Sequence, residues 1–296
     1  MSTVLRKVII ITMVVGPLIA TVYAIYLGWN GIVGMLDLVL LASLYCFTAL
    51  GVTIGYHRYL THASFRTNRV LKFVLVILGC VSLEGAPITW VANHRKHHAF
   101  SDREGDLHSP HLSRNIVLGF MHAHVGWMIE GRAADTQEWA PDLLQDADIK
   151  FINKTTALWV ILGLIVPFLI GGWSGLLWGG LVRILLNHHV TWSVNSVCHV
   201  FGSRPFRTKD RSSNHWLVGL LAFGEGGHNT HHASPRSARH GIFWWHFDLS
   251  WVIIRALANL GWVFDVYTLD PTDLKQALRV EAPGIKVIKV YPLTGI

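Results

Sequence analysis

Residues 70–98, VLKFVLVILGCVSLEGAPITWVANHRKHH, combine an apolar run long enough to cross a membrane with a histidine cluster at its end. A similar cluster, HNTHH, follows at residues 228–232, and a looser one, HRYLTH, precedes both at residues 57–62. On a helix, histidines at positions i, i+3 and i+4 present their imidazoles on one face. Because imidazole is the commonest metal ligand in proteins, the clusters predict a shared metal site.

A shared site constrains the topology of residues 70–92. If this run crossed the bilayer, the clusters at 57–62 and 94–98 would lie on opposite faces, about 30 Å apart. The run also contains Lys72, Glu84 and a break at Gly85-Ala86-Pro87. We therefore interpret residues 70–92 as an interfacial or re-entrant helix and not as a span.

The composition indicates an integral membrane protein. Of the 296 residues, 51% are hydrophobic and only 15% are charged, and the apolar residues gather in long runs. Runs at about 8–27, 32–56, 155–170 and 176–197 predict four transmembrane helices, the last two joined by the uncharged turn GGWSG at residues 171–175. We predict an all-α integral membrane fold that forms a single domain over residues 1–296.

The distribution of Lys and Arg predicts the orientation. The linkers at 28–34 and 171–175 lack both residues, whereas the N-terminus and the regions 57–153 and 198–296 are rich in them. Cytoplasmic loops carry such an excess, so we expect a multi-pass protein, of a bacterial inner membrane, with a cytoplasmic helical cap that carries a histidine-bound di-metal site. One charge, Arg183, falls near the middle of a predicted span, with Asp37 as its candidate partner.

The formal net charge of +7 predicts negatively charged partners. Anionic lipid headgroups or an acidic redox protein fit this charge. No basic motif with interleaved aromatic residues is present, so nucleic acid is not an expected partner. The cysteines lack the spacing of a zinc or iron–sulfur motif.

Three interpretations compete for the histidine clusters. Interfacial imidazoles are the first, but three clusters spaced for joint ligation disfavour it. A metal transporter or sensor is the second, although transporters bind their ions near the bilayer midplane. The third, a redox metal enzyme with a membrane substrate, is favoured because the eight clustered histidines exceed the needs of one tetrahedral zinc and suit two metal ions.

The clusters and their neighbours resemble the three histidine boxes of the membrane fatty acid desaturases. The matching stretches are GYHR from residue 55 through His62, HRKHH at 94–98 and GEGGHNTHH at 224–232, with further similarity in GDLHSPH at 105–111, WSVNSVCH at 192–199 and SARHG at 237–241. The resemblance covers about residues 30–265 and is strongest to the Δ9, stearoyl-CoA type. It implies a di-iron centre that uses O2 and two electrons to place a cis double bond in a long acyl chain.

The resemblance also implies roles for individual residues, and no catalytic residue beyond the di-iron centre. The implied iron ligands are His57, His62, His94, His97, His98, His199, His228, His231 and His232. Asn195 is implied as a neighbour that reaches iron through water, and Trp90 and Trp192 as tunnel aromatics. Gly227 stands where the family carries a bulky aromatic residue, so we expect a wider substrate tunnel there.

The chemistry of histidine ligands suggests further residues around the metal. Glu225 and Asp106 are candidate acceptors for the second N–H of a ligand imidazole, which would fix its tautomer. We expect the other histidines to be structural or to lie near the metal without binding it: His108, His111, His122, His124, His188, His189, His215, His240 and His246. The electron donor implied by the resemblance is an external protein of cytochrome b5, ferredoxin or reductase type.

Two questions stay open at the level of sequence. Animal relatives contact coenzyme A through charged groups where this chain has Ala92 and Asn93, and through a basic pair where it has Glu130 and Gly131. The long-chain acyl substrate can therefore be linked to CoA or to a glycerolipid. The alternative enzyme is a di-iron membrane hydroxylase, because the same boxes serve hydroxylases.

Overall fold

Helices make up nearly all of the regular structure in the computed structural model, which describes residues 3–269. In chain order the α-helices are α1 (Thr3–Trp29), α2 (Met35–Leu50), α3 (Arg69–Val81), α4 (Pro87–Phe100), α5 (Ile116–Met121), α6 (Trp127–Glu130), α7 (Thr136–Trp139), α8 (Ala147–Lys154), α9 (Thr156–Gly175), α10 (Arg183–Ser196), α11 (Trp216–Leu221), α12 (His228–Ala233) and α13 (Leu249–Asn259). π-Helical segments cover Gly51–Thr61, His122–Gly126 and Leu176–Val182, and a 3-10 turn covers Val197–His199. Two short strands, β1 (Arg66–Thr67) and β2 (Val263–Phe264), pair antiparallel.

Three helical stretches are long and apolar enough to cross a membrane: Lys7–Trp29, Met35–Thr61 and Thr156–His199. The first contains the predicted span at 8–27. The second begins at residue 35 and not 32, and its helix runs five residues beyond the predicted end at 56, because a π-helix carries it through His57 to Thr61. The part of the predicted cytoplasmic region 198–296 that follows residue 269 lies outside the described residues.

Gly172 divides the third stretch into two helices. Its backbone, with φ 60° and ψ −147°, interrupts the helix in a region that glycine adopts without a steric penalty. A Cβ atom added to Gly180 would lie 3.2 Å from Leu164 Cδ2. In an uninterrupted helix those residues would be about 24 Å apart along the axis. The chain therefore folds back on itself at the turn predicted for residues 171–175.

Residues 70–92 form parts of two helices and not one continuous helix, and α4 begins at the break noted at residues 85–87. α3 begins after Asn68, whose side chain accepts a hydrogen bond from Leu71 N–H. Leu83 and Gly85 then adopt positive φ angles of 65° and 108°, and Pro87 begins α4. Proline suits the first turn of a helix because it has no N–H to leave unpaired, and it cannot continue the preceding one.

The turn between α3 and α4 packs among the long apolar helices. A Cβ added to Gly163 of α9 would lie 2.5 Å from Val81 Cγ1, and Arg183 Nη1 donates to Val81 O at 2.8 Å. His188 Nε2 lies 3.0 Å from Leu83 O. The two helices thus form a hairpin that returns the chain, which brings the histidines at its end back to His57 and His62.

Arg183 has carbonyl partners instead of the predicted carboxylate. Its guanidinium is fully buried and donates to Gly179 O at 2.8 Å as well as to Val81 O. Asp37 instead accepts a hydrogen bond from Gly34 N–H at 2.9 Å and caps the start of α2. The predicted pairing of Arg183 with Asp37 is therefore wrong.

Close helix packing sets the position of the first histidine cluster. A Cβ on Gly51 would lie 2.3 Å from Gly79 N of α3, and one on Gly55 would lie 2.6 Å from Leu75 O. These glycines let the π-helix contact the backbone of α3. Gly55 lies only two residues before His57. Apolar clusters then join both helices to the rest of the fold: Tyr56, Val76 and Val91 pack with Ile149 and Ile152 of α8, and Ile54 and Leu71 pack with Ile254 of α13.

Candidate metal centre

The predicted ligands converge into two groups. The first group consists of His57, His62, His94, His98 and His231, and the second consists of His97, His199, His228 and His232. Within each group the potential ligand atoms all lie within 4.8 Å of one another. All nine histidines that the sequence pointed to are therefore brought together, in two sets that could each hold one metal ion.

Two helices contribute histidines to both groups. α4 directs His94 and His98 to the first group and His97 to the second, while α12 directs His231 to the first and His228 to the second. On each helix the residues three and four positions apart project on one face but diverge enough to serve neighbouring sites. The two groups therefore lie side by side across a shared pair of helices.

The spacing of the imidazole nitrogens fits ligation of a metal. His231 Nε2 lies 3.1 Å from His57 Nε2 and 2.9 Å from His98 Nε2, and His228 Nε2 lies 3.0 Å from His199 Nε2. Two nitrogens about 2.1 Å from one ion are about 3.0 Å apart when they subtend a right angle and about 3.4 Å apart in a tetrahedron. The observed distances are therefore short enough for neighbouring imidazoles to share one ion.

Orphaned nitrogens support the same interpretation. Nε2 of His62, in the first group, and Nε2 of His97, in the second, are buried and have no hydrogen-bond partner among the described residues. A buried polar atom without a partner destabilises a fold by about 1–3 kcal/mol. A bound cation in each group would satisfy these atoms.

Carboxylates orient several of these imidazoles through contacts with Nδ1. Glu225 lies 2.6 Å from His57 Nδ1, and Asp106 lies 3.0 Å from His97 Nδ1, as predicted for both carboxylates. Such a contact holds the proton on Nδ1 and leaves Nε2 as the ligand atom. The carboxylates thus select the nitrogens that converge in each group.

Two further carboxylates were not found from the sequence. Asp102 lies 2.9 Å from His199 Nδ1, and Asp210 lies 3.0 Å from His232 Nδ1. Asp102 follows the second histidine cluster by four residues, which is a usable signal. Asp210 lies far from His232 in sequence and between two basic residues, so no local pattern marks it.

Burial keeps most of these histidines neutral, which a metal ligand must be. It lowers the pKa of His94, His98, His228 and His231 well below the ordinary value. For His97, burial lowers the pKa, but the Asp106 carboxylate raises it further, so the net change is upward.

The pKa of Glu225 is lowered despite burial. Burial alone would raise it, but the guanidinium of Arg58 and the imidazole of His57 overcome that effect. Arg58 is itself fully buried and also contacts Asp248 at 3.1 Å. A charged network therefore anchors the carboxylate that orients His57.

A cavity adjoins the first histidine group. His57 and His94 line it together with Trp90, Trp192 and residues of the long helices such as Tyr45 and Val190. Trp90 stacks on His94 with ring centroids 5.0 Å apart. The cavity thus offers an apolar substrate a mostly apolar lining beside the candidate metal site.

The two other residues predicted near the substrate, Asn195 and Gly227, lie in different places relative to this cavity. Asn195 lines the same cavity, although no hydrogen bond joins it to a ligand histidine within residues 3–269. Gly227 does not line it and faces a separate cavity beside Phe201 and Trp216. A Cβ on Gly227 would lie 2.9 Å from His240 O, so the missing side chain makes room for backbone. The expectation of a wider tunnel at Gly227 is wrong.

Two histidines outside the predicted ligand set also belong to the centre. His108 stacks on His97 with ring centroids 4.3 Å apart and forms a third potential ligand group with His97 and Asp106. His240 forms a fourth group with His57 and Glu225. Both are buried beside the ligands, in agreement with a supporting position.

Comparison with known proteins gives consistent matches. The family model described as fatty acid desaturase matches residues 35–268. The sn-1 stearoyl-lipid 9-desaturase of Anabaena variabilis is 42% identical over 224 residues, which are 75% of this chain and 80% of that protein. The hex-5-enoyl-[acyl-carrier protein] acetylenase of Moorena producens (strain JHB) is 38% identical over 265 residues, 84% of this chain and 83% of that protein. The acyl-CoA C20 Delta5-desaturase of Anemone leveillei is 39% identical over 220 residues, 73% and 69% of the two chains.

Proposed function

This chain belongs to the fatty acid desaturase family, and we propose that it is an oxygen-dependent di-iron desaturase that introduces a cis double bond, at position 9, into a long saturated acyl chain. The observation that carries the proposal is the pair of histidine groups, the first of which lines a cavity together with Trp90 and Trp192. Nine histidines in two groups exceed the four ligands of one closed zinc site and suit two iron ions.

The reaction balances with an external reductant. The substrate loses one hydrogen atom from each of two neighbouring carbons, which then share the new double bond. O2 takes up these two hydrogens together with two protons and two electrons, and two water molecules form. The electrons come from a carrier protein of cytochrome b5, ferredoxin or reductase type. Two iron ions, when bound by the nine histidines, supply the oxygen activation that this chemistry needs.

The residues of this chain hold and orient the reacting parts. The four carboxylates on the Nδ1 side keep the ligand nitrogens aimed at the two ions: Asp102, Asp106, Asp210 and Glu225. Trp90 and Trp192 present flat apolar surfaces that restrict the position of a bound chain. Asn195 is assigned a contact through water. The position of the double bond depends on which two hydrogens of the acyl chain these side chains hold near the metal site.

The proposal includes a topology of four membrane spans with both termini in the cytoplasm of a bacterial cell. It is supported by the three apolar stretches, by the turn at Gly172 within the third, and by the absence of Lys and Arg from the linkers 28–34 and 171–175. The hairpin of α3 and α4 enters from the cap side and returns to it.

Expression of the wild type and of His231→Ala, followed by mass spectrometry of cellular fatty acids, tests this function. We expect a monounsaturated chain with its double bond at carbon 9 only in cells with the intact site, and about two irons per purified chain. Hydroxy acids would favour a hydroxylase instead. A change in metal uptake without any new fatty acid would favour a transporter or sensor, and one bound zinc would contradict oxygen chemistry.

A further inference from the structure

The segment of α5 and α6 presents large apolar side chains to its surroundings. Ile116, Val117 and Leu118 are 54%, 65% and 64% exposed, whereas the small residues Gly119 and Ala123 are buried. An amphipathic segment of this kind lies in the membrane interface, with its apolar side toward the acyl chains. The outer face of α5 and α6 is therefore a surface for lipid.

The same segment forms a wall of the substrate cavity. Trp127 and Met128 of α6 line the cavity, while the next two residues, Ile129 and Glu130, are exposed. α6 also packs against α1, the first of the long apolar helices. Within the four residues of α6, cavity-lining side chains are thus followed directly by exposed ones.

The cavity lacks the positive charge that a soluble acyl thioester needs. None of the described residues that line it is Lys or Arg, and its ionisable lining includes the carboxyl groups of Glu84 and Glu225. Coenzyme A and the acyl carrier protein both present the acyl group on a phosphopantetheine arm. Arginine and lysine are the side chains that recognise such phosphates.

The surface beside α6 does not supply that charge. Arg132 is paired with Glu130 at 3.7 Å, and His122 Nδ1 lies 3.1 Å from the same carboxylate. On α4, Arg95 is paired with Asp142 at 2.6 Å, which leaves Lys96 on that helix and Arg114, two residues before α5, as further cations. Ion pairs thus occupy two of the four cations of these segments, which leaves little positive charge to favour a polyanionic carrier.

We propose that the acyl chain reaches the cavity from the bilayer, beside α6, while it is esterified to a membrane glycerolipid. CoA and acyl-carrier-protein thioesters are then poor substrates. This inference rests on the proposed function and specifies its substrate class. It also chooses among carriers that the names of the relatives leave open, since those names include a lipid, an acyl-carrier-protein and a CoA derivative.

The test compares three carriers with one purified protein, supplied in parallel reactions with an excess of each donor type named above: reduced ferredoxin, reduced cytochrome b5, and a reductase with its reductant. In the first arm the vesicles contain a diacyl phosphatidylglycerol that carries a stearoyl chain at sn-1. In the others they contain diphytanoyl lipid, which offers no stearoyl chain, and receive stearoyl-CoA or the stearoyl-acyl carrier protein. Mass spectrometry of the intact carriers measures the unsaturated product. We expect turnover of the lipid at least tenfold faster than turnover of either thioester.

The possible failures are distinguishable. Equal or faster turnover of a thioester overturns the inference and leaves the desaturase intact. An absence of unsaturated product from every carrier overturns the proposed function itself. Neither result depends on a variant that has to fold.

A pair of variants tests the route beside α6. Ile129→Glu places a charge where the chain would enter, and we expect at least tenfold slower turnover of the lipid with an unchanged iron content. Val74→Glu is the matched control, because Val74 on α3 is 47% exposed, against 37% for Ile129, and does not line the substrate cavity. Equal effects of the two variants would contradict entry beside α6.

Discussion

Replacement of Glu84 by glutamine should remove a pH dependence of stability from this protein. Glu84 lies in the turn between α3 and α4, outside the long apolar stretches, and lines the substrate cavity. Its Oε1 is buried without a hydrogen-bond partner among the described residues. Burial raises the pKa of this carboxyl from 4.5 to about 8, although contacts with Thr191 and Trp192 lower it in part.

The sign follows from comparison of the folded and unfolded chains. Because the pKa is higher in the folded protein, the stabilisation linked to Glu84 is complete below pH 4.5 and is lost as the pH rises to about 8. Each pH unit within this window removes about 1.4 kcal/mol. From pH 6 to pH 9 the loss is at most about 3 kcal/mol, since the change ends near pH 8 and the cavity admits some water.

Thermal unfolding in detergent at pH 6 and pH 9 measures this loss. A difference of about 3 kcal/mol corresponds to a shift in Tm of about 6–10 °C for a chain of this size. Between pH 6 and pH 9 the Tm of the wild type should fall about 6–10 °C further than the Tm of Glu84→Gln, because glutamine cannot ionise. Glu104→Gln removes an exposed carboxylate and serves as the control. Parallel curves for the wild type and Glu84→Gln would refute the assignment of a buried acid at this position.

Three further changes test the centre and its support. Asp210→Asn removes the carboxylate that orients His232, so we expect iron affinity to fall about 10–100-fold in a chelator competition, and an unchanged affinity would contradict the orienting role. Arg58→Met leaves two buried carboxylates without their cation and should reduce the free energy of unfolding by about 3–5 kcal/mol, whereas Arg66→Met, at an exposed ion pair, should change it by at most about 1 kcal/mol. Gly51→Ala forces a Cβ against the backbone of α3 and should lower stability by about 1–3 kcal/mol or more in thermal unfolding, while Gly16→Ala, with open space around it, should not.

The sequence predicted the metal centre better than its surroundings. The spacing of His94, His97 and His98 is a local property of one helix, and the same holds for the cluster at 228–232, so both could be assigned from periodicity. The family resemblance extended the set to His199. Asp210, by contrast, reaches His232 only after the loop before α11 has folded against α12. Contacts between segments distant in sequence leave no periodic signal.

The error at Gly227 has a physical cause of the same kind. The resemblance located this glycine beside the third histidine box, and a missing side chain there suggested additional space for substrate. A residue next to a ligand can face either side of the backbone, however, and spacing along the chain does not reveal which. Here the space belongs to the backbone of His240, on the side away from the substrate cavity.

The hairpin of α3 and α4 shows how the metal centre constrains the path of the chain. A continuous helix over residues 70–92 would carry His94 away from His57, whatever its angle to the membrane. Two helices of opposite direction return the chain, and the turn needs Gly85 at a positive φ and Pro87 as the first residue of α4. The same turn places Glu84 on the cavity wall. The break that permits the histidines to meet therefore also determines part of the surface that an acyl chain would contact.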